Sequence, residues 1–512
     1  MRAVPSPPTA TPARPFDRDL WLLMALATAK LLFHVLANGQ YGFHRDELQT
    51  LSDARHLDWG FVAYPPLTAF LGRIELALFG TSLAGLRFFP ALAQSIVFVV
   101  AGLMARRLGG GRAAMLVAAF AVALAPVSLS ASSLFMYVTF DYLWYVLVAY
   151  FVICRIESGD ARWWLAIGVA IGLGMMTKYT MAFFAAGVGA GVLFTPWRAD
   201  LRSRWPWLAV AIAVLIFVPH LVWQARHDFI TLDFLKFIHA RDVRIGRADG
   251  FYIDQINMIS TNLFTLPIWL IGIGYACLGA RGRYRIIAWM ALVPFAIIAL
   301  AKGRGYYTAP LYPMLFALGA VVLERWLAAR RSMAARRVGW SALALLLVAA
   351  TVVVPIVTPL IPVNSAHWAF ANGKNHDFRE QFGWPELARE VARIWSGLTP
   401  EERAHGGIWG SNYGEAGALE LYGPALGLPP VISAVNSFWL RGPPVAAPQT
   451  LIVVGADRKD LDAPCTTVEL AGHTGNAAHV ENEETQWHPD IFICRGVRKP
   501  LAELWPRLME FG

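Results

Sequence analysis

The chain has 512 residues, 56% of them hydrophobic and only 15% charged, with a formal net charge of +9. A soluble protein of this length carries nearer a quarter charged residues, and several apolar runs here are long enough to cross a hydrocarbon core of about 30 Å. A water-soluble enzyme is excluded, and so is a nucleic-acid binder, because the basic excess sits mostly in short loops between apolar runs, where the positive-inside rule puts it. Residues 1–359 carry a net +15 and residues 360–512 a net −6. The break separates a membrane part, 19–359, from a soluble part, 360–512.

The Pro-rich tail 1–18 reads as disordered. "LWLLMALATAKLLFHVLANG" after it is longer than a signal-peptide core and reads as a retained first span. Further spans begin near residues 88, 113, 140, 163, 180, 207, 258, 286, 306 and 339, giving eleven. Alternate loops hold the arginines: Arg106, Arg107 and Arg112; Arg155 and Arg162; Arg198, Arg202 and Arg204; Arg281, Arg283 and Arg285; Arg325, Arg330, Arg331, Arg336 and Arg337. These loops are assigned to the cytoplasm with the N-terminus. Residues 38–87, the loop near 128–139, Lys178 and Tyr179, residues 224–257, 302–307 and the whole C-terminal part then lie outside.

The first outer loop, 38–87, contains "YGFHRDELQTLSDARHLDWGFVAYPPL", unusually rich in titratable groups. Its second half predicts a helix with Leu67, Phe70, Leu71, Ile74 and Leu78 on one face, lying along the membrane surface. Asp141 opens the fourth span in "YVTFDYLWYVL". A carboxylate in lipid costs several kcal/mol and is tolerated in a polar cavity. The outer loop 224–257 carries Arg226, Lys236, Arg241, Arg244 and Arg247, and "AKGRGYY" puts Lys302 and Arg304 at a helix mouth. Cations on the unfavoured side suit an anionic ligand such as a phosphate. Asp46, Glu47, Asp141, Lys178, Lys302, Arg304, Tyr306 and Tyr307 thus converge on one level of the membrane, which favours an active site at the outer water–lipid boundary. Blander roles stand beside this one: Asp46 as a first-turn helix acid, Asp141 as an N-cap, the lysines as snorkelling side chains, and the loop arginines as solvated charges.

No phosphate-cradling glycine loop, catalytic triad or HExxH pattern occurs, and the glycines at 168–174 fall within a span and signify helix packing. His44 and His56 beside acids read as surface histidines before metal ligands. In the soluble part "TLIVVG" (450–455) and "HPDIFICRG" (488–496) predict strands. "WPELAREVARIWSGL" predicts a helix, and "LAELWPRLMEF" a closing helix broken at Pro506. Cys154 and Cys277 read as packing residues. Cys465 and Cys494 are able to pair if that part faces an oxidising compartment. Asn412, Tyr413, Glu415 and Asn436 fit loop and cap roles or the lining of a sugar site.

Together "RDE" (45–47), "PPL" (65–67), the fourth-span acid, "TKY" (177–179), "KGRGYYTAPLYP" (302–313), eleven spans and an outer C-terminal domain resemble the family 39 glycosyltransferases. These are the bacterial relatives of the dolichyl-phosphate-mannose protein mannosyltransferases. "SNYGEAGALELYGPALGLP" and "FICRGVRKPLAELWP" resemble the small outer domain of the same group. The resemblance implies an α-helical polytopic membrane protein of the GT-C fold with a small extracytoplasmic α/β C-terminal domain, in a bacterial inner membrane. It implies transfer of a mannose-like or other hexose or pentose from a polyprenyl phosphate to a hydroxyl on a lipid, glycan or protein, with inversion. Asp46 would be the general base, with Glu47 beside it. Arg45, Tyr64, Asp141, Lys178, Tyr179, Lys302, Arg304, Tyr306 and Tyr307 would bind substrate, the cations meeting the leaving phosphate. No cofactor is expected, and a divalent metal has no support. The aminoarabinose transferases of the same fold carry Glu-Lys-Pro where this chain has Tyr64-Pro65-Pro66, which argues against that donor sugar. The rival is a transporter or lipid flippase, which would place ionisable groups near the mid-plane and often show internal repeats; no repeat is visible.

Overall fold

The computed structural model describes residues 18–259, 265–279, 282–330, 333–445 and 447–512. The tail expected over 1–18 lies outside them apart from Arg18, as do Arg281 and Arg331 and the side chain of Arg336. The first apolar run is α1 (Arg18–Ala37). The first outer loop then folds into α2 (Arg45–Arg55), α3 (Leu67–Phe79) and α4 (Leu83–Leu86). Next come α5 (Phe88–Arg107), α6 (Arg112–Ala123), α7 (Pro126–Ser133), α8 (Tyr137–Ser158), α9 (Trp163–Met175), α10 (Met181–Leu193) and α11 (Trp205–Arg226). After α12 (Ile230–Arg244) and α13 (Phe251–Asn257) follow α14 (Thr265–Leu278), α15 (Arg285–Leu300), α16 (Tyr312–Ala329) and α17 (Met333–Val357).

Each expected apolar run contains a helix, but their lengths differ. Six are long and apolar enough to cross a membrane, α6 and α7 form a pair bent by 64°, and α9, α10, α14 and α15 are shorter. Small residues let the helices approach closely. A methyl on Gly272 of α14 would collide with the Leu315 carbonyl oxygen of α16, and Gly168 of α9 abuts the Ala209 backbone of α11. The glycines of 168–174 are therefore packing residues.

One end of the bundle is tied by its arginines. Arg112 pairs with Asp19, Arg155 grips Asp200, Arg283 meets Glu157, and Arg325 donates to the Leu108 carbonyl. In α3 the small and polar Ala69, Gly72 and Glu75 face inward, while Ile74 and Leu78 point outward. That is the orientation a helix adopts when its apolar face meets lipid.

Residues beyond the bundle form α18 (Ala366–Asn372), α19 (Trp384–Gly397), α20 (Pro400–Ala404), β1 (Gly406–Gly410), α21 (Tyr413–Tyr422), β2 (Val431–Ile432), β3 (Thr450–Val454), α22 (Arg458–Leu461), β4 (Thr467–His473), α23 (Glu483–Trp487), β5 (Asp490–Arg495) and α24 (Leu501–Leu504). The sheet order is β2-β1-β3-β5-β4. β2, β1 and β3 run parallel, while β5 and β4 are antiparallel additions. The two strands expected from sequence are the adjacent β3 and β5. Cys465 and Cys494 are joined, with Cα atoms 5.5 Å apart.

The small domain sits on the first outer loop. Helix α21 lies against α2 so closely that a methyl on Gly417 would come within 2.8 Å of the Leu48 backbone. Glu420 accepts from Ser52 and pairs with Arg441, and Asn436 donates to Gln49.

Candidate active site

Helix α2 presents Asp46. His44 caps the helix, accepting from the Asp46 N–H, and Glu47 returns a carboxylate to the His44 N–H, a capping box. This fixes Asp46 in the first turn, so its helix-start role is real. Yet 45% of its side chain is exposed, enough for a substrate hydroxyl to reach it. Its Oδ1 accepts a hydrogen bond of 2.8 Å from Tyr413 of α21. Its Oδ2 lies 4.0 Å from His44 Nδ1 and accepts no hydrogen bond among the described residues. Burial pushes the carboxyl up, but His44, Arg45, the Tyr413 hydroxyl and Arg304 outweigh it and hold it below the usual value.

Glu47 is placed differently from its expected role. It is fully buried and saturated: Arg87 grips it through Nε and Nη2 at 2.9 and 2.7 Å, and it accepts from the backbones of His44 and Phe135. No oxygen is left for a substrate, so Glu47 is a structural anion holding α2 to α5. Arg45 is likewise committed, 2.6 Å from Glu483 and 3.5 Å from Glu484 of the outer domain.

Lys178, between α9 and α10, is half-buried in a cage of tyrosines. Its Nζ lies 3.8 Å from the ring centroid of Tyr307, 5.5 Å from Tyr137 and 5.7 Å from Tyr306. Ring faces attract a cation without neutralising it, and among the described residues Lys178 forms no ion pair within 4 Å. Asp141, in the second turn of α8, is within electrostatic reach of Lys178 and accepts from Thr180, leaving Oδ1 buried without a partner. Tyr137 is within electrostatic reach of Asp46, Asp141, Tyr306 and Arg304, which makes it the side chain common to both halves of the site.

Arg304 forks onto Asp242 of α12 at 2.6 and 2.9 Å. Arg241 and Arg247 approach the same carboxylate at 3.9 and 3.8 Å, so three cations share one anion. Arg241 Nε is buried without a hydrogen-bond partner. This excess of positive charge suits an incoming anion. Lys302 does not join it: the residue is exposed, in a left-handed backbone, and makes no ion pair among the described residues.

Tyr64 is buried one layer behind, stacked on Tyr137 and donating to Asp53 at 2.6 Å. Tyr179 faces another cluster, bonding His220 at 2.6 Å and Gln224 at 3.0 Å. Tyr64 thus backs the site through Tyr137, while Tyr179 belongs to the His220–Gln224 cluster. The sequence leaves Tyr137 and Asp242 unassigned, leaves Arg241 and Arg247 between an anionic ligand and solvated loop charges, and leaves Tyr413 between cap and site. The three arginines at 241, 244 and 247 were the available signal. Among the described residues no group of three or more His, Cys, Asp or Glu is arranged to hold a metal ion.

Residues 63–223 match the family described as dolichyl-phosphate-mannose-protein mannosyltransferase. The chain is 25% identical over 298 residues to the lipid A galacturonosyltransferase RgtD of Rhizobium johnstonii, covering 56% of this chain and 60% of that protein. It is 27% identical to undecaprenyl phosphate-alpha-4-amino-4-deoxy-L-arabinose arabinosyl transferase 1 of Pseudomonas fluorescens, covering 49% and 48%. The match thus spans about half to three fifths of these curated relatives. The crystal structure of ArnT from Cupriavidus metallidurans bound to undecaprenyl phosphate superposes with a TM-score of 0.60 at 17% identity, over 93% of this chain and 98% of that one. The fold is that of the GT-C membrane glycosyltransferases.

Proposed function

We propose that this chain, a GT-C protein with the mannosyltransferase family's signature over residues 63–223, transfers a sugar from a polyprenyl phosphate to a hydroxyl of a lipid-anchored saccharide at the outer face of a bacterial inner membrane. The observation that carries the reading is that Tyr137 stands between a half-exposed Asp46, whose carboxyl is held below its usual value, and the tyrosine-caged Lys178. The arginine-tied end of the bundle is then cytoplasmic. The joined Cys465 and Cys494 fit an oxidising outer compartment. A donor phosphate and a lipid acceptor are in keeping with the relatives' names.

In this reading Asp46 Oδ2 takes the proton of the acceptor hydroxyl. The oxygen forms a bond to the anomeric carbon from the face opposite the phosphate. The anomeric carbon–oxygen bond breaks, its electron pair leaves on the lipid phosphate, and the anomeric centre inverts. Lys178 and Arg241 meet the growing phosphate charge, and Asp141 orients sugar hydroxyls. A transporter would have no use for a carboxylate and a caged lysine at the boundary rather than the mid-plane.

The test is purified Asp46→Asn with a polyprenyl-phosphate sugar. Transfer should fall at least 100-fold, a general base typically contributing about 10²–10⁴-fold, while binding of polyprenyl phosphate persists. Wild-type turnover by the variant would refute the assignment. Mass spectrometry of envelope glycolipids from cells with and without the gene would identify sugar and acceptor.

A further inference from the structure

Helix α12 carries Arg241 and Asp242 of the cation cluster and is tied to the helical bundle near its two ends. It leaves α11 through Asp228 and Phe229, successive non-glycine residues in left-handed backbone, with φ of 52° and 54°. That conformation interrupts the helix and turns the chain aside. At the start of α12, Thr231 accepts from Gln224 at 2.6 Å and donates to the Phe61 carbonyl at 3.3 Å. At the far end Asp242 receives the Arg304 fork. Between these ends Phe234 and Phe237 hold one ring, Phe511, at centroid distances of 5.7 and 5.8 Å. Ring pairs at such separations attract beyond their buried area.

Phe511 belongs to the outer domain, and the residues on both sides of it are fixed there. Glu510 runs beside Val435, donating to the Ala434 carbonyl at 3.1 Å and accepting from the Asn436 N–H at 3.0 Å. The Gly512 N–H donates to Asn436 Oδ1 at 3.2 Å. Asn436 itself is left-handed, with φ of 49°, and its side chain donates to Gln49 of α2. Gly512 packs on Tyr413 so closely that a methyl there would lie 2.8 Å from Cδ1 of the ring. Tyr413 in turn donates to Asp46, and Arg241 is within its electrostatic reach. One ring therefore joins the helix bearing Arg241 to the segment packed on the partner of Asp46.

We propose that Phe511 is a positioning residue for sugar transfer. It touches no reacting atom. Its ring clamps the middle of α12 to the outer domain and so holds Arg241 where the lipid phosphate departs. The inference rests on the reading that Arg241 meets that phosphate. Without the ring, α12 keeps its tethers at Thr231 and Asp242 but loses the anchor between them. A guanidinium displaced by about an ångström no longer matches its anion.

The test uses the full chain in detergent, with undecaprenyl phosphate as the probe. Phe511→Ala should weaken its binding about 10-fold, the order expected from two lost ring pairs, with melting close to wild type. In a background lacking the free Cys154 and Cys277, a spin label on Lys236→Cys, an exposed position of α12, should gain a mobile component when Phe511→Ala is added. Phe237→Ala, at a half-exposed position, should show both effects. The double variant should be no worse than Phe511→Ala, because both changes remove the same pairing. The inference is overturned if the label stays as immobile as in wild type, or if the two alanine penalties add. It is also overturned, with the phosphate reading intact, if Arg241→Gln weakens binding and Phe511→Ala does not. If Arg241→Gln itself binds like wild type, the phosphate role of Arg241 fails and the inference falls with it.

Discussion

The state of Asp46 decides how the protein should respond to pH. Its folded value lies below the ordinary 3.8 because His44, Arg45, the Tyr413 hydroxyl and Arg304 outweigh its burial. The carboxylate is therefore charged at neutral pH, and it loses its capacity to accept a proton only as pH falls through that lowered value. The acid limb of kcat/KM should lie below the usual carboxylate range. Tyr413→Phe, which deletes one hydrogen bond to the charged form, should move that limb upward; an unmoved limb would mean that Asp46 is not the titrating base. Glu47 invites the opposite experiment. Glu47→Gln leaves Arg87 buried and unpaired, which should destabilise the protein by about 3–5 kcal/mol, seen as a large drop in melting temperature. Removing Arg87 as well should cost less than the two single losses combined. Asp46 and Lys178 stand out in the sequence as candidates because charges beside apolar runs are scarce. Glu47 was misjudged because adjacent acids look alike until their partners are known, and its partner Arg87 lies 40 residues on. Tyr413 lies 367 residues from Asp46, a distance no local pattern spans.

At the scale of elements, hydropathy located the apolar helices because lipid leaves the backbone no alternative to internal hydrogen bonding. It did not reveal which would be short or that α6 and α7 would bend, since those features follow from packing against neighbours. Helix α12 was read only as a loop, because its sequence mixes Leu232 and Phe237 with Lys236 and Arg241 and carries no long apolar run. The Lys178 cage shows elements cooperating: Tyr137 comes from the start of α8, Tyr306 and Tyr307 from the turn before α16, and the lysine from the break between α9 and α10. Because the cage is half-buried and no carboxylate lies within 4 Å of the cation among the described residues, Lys178→Gln should raise the donor KM about 10- to 100-fold, the worth of one charge-assisted hydrogen bond of about 1.5–3 kcal/mol. Thermal stability should stay close to wild type. A variant with unchanged KM would remove Lys178 from the phosphate site.

For the whole molecule, the charge reversal near residue 360 marked a soluble part but not where it rests. The seat is built from single contacts scattered over more than 350 residues of separation, such as Glu420 on Ser52 and Asn436 on Gln49. The small domain's own integrity leans on its disulfide. Closing a loop over a separation of 29 residues confines the unfolded chain by about 3–4 kcal/mol in the chain-entropy account. Cys465→Ser should lower the denaturant midpoint of the outer domain accordingly while the helical bundle's transition stays put. The seating itself is tested at Gly417. Its hydrogen faces the Leu48 carbonyl carbon, Cβ and oxygen, and an added Cβ would lie 2.8–2.9 Å from all three. These are backbone and near-backbone atoms that cannot swing aside, so Gly417→Val must push α21 off α2. That displacement also withdraws Tyr413 from Asp46, because Tyr413 stands on the first turn of the same helix. The variant should therefore lose transfer activity more than 10-fold and show its acid limb shifted upward, as Tyr413→Phe does, while polyprenyl phosphate still binds at Lys178. If Gly417→Val loses donor binding as fully as transfer, the outer domain acts on the donor half of the site and not through the base.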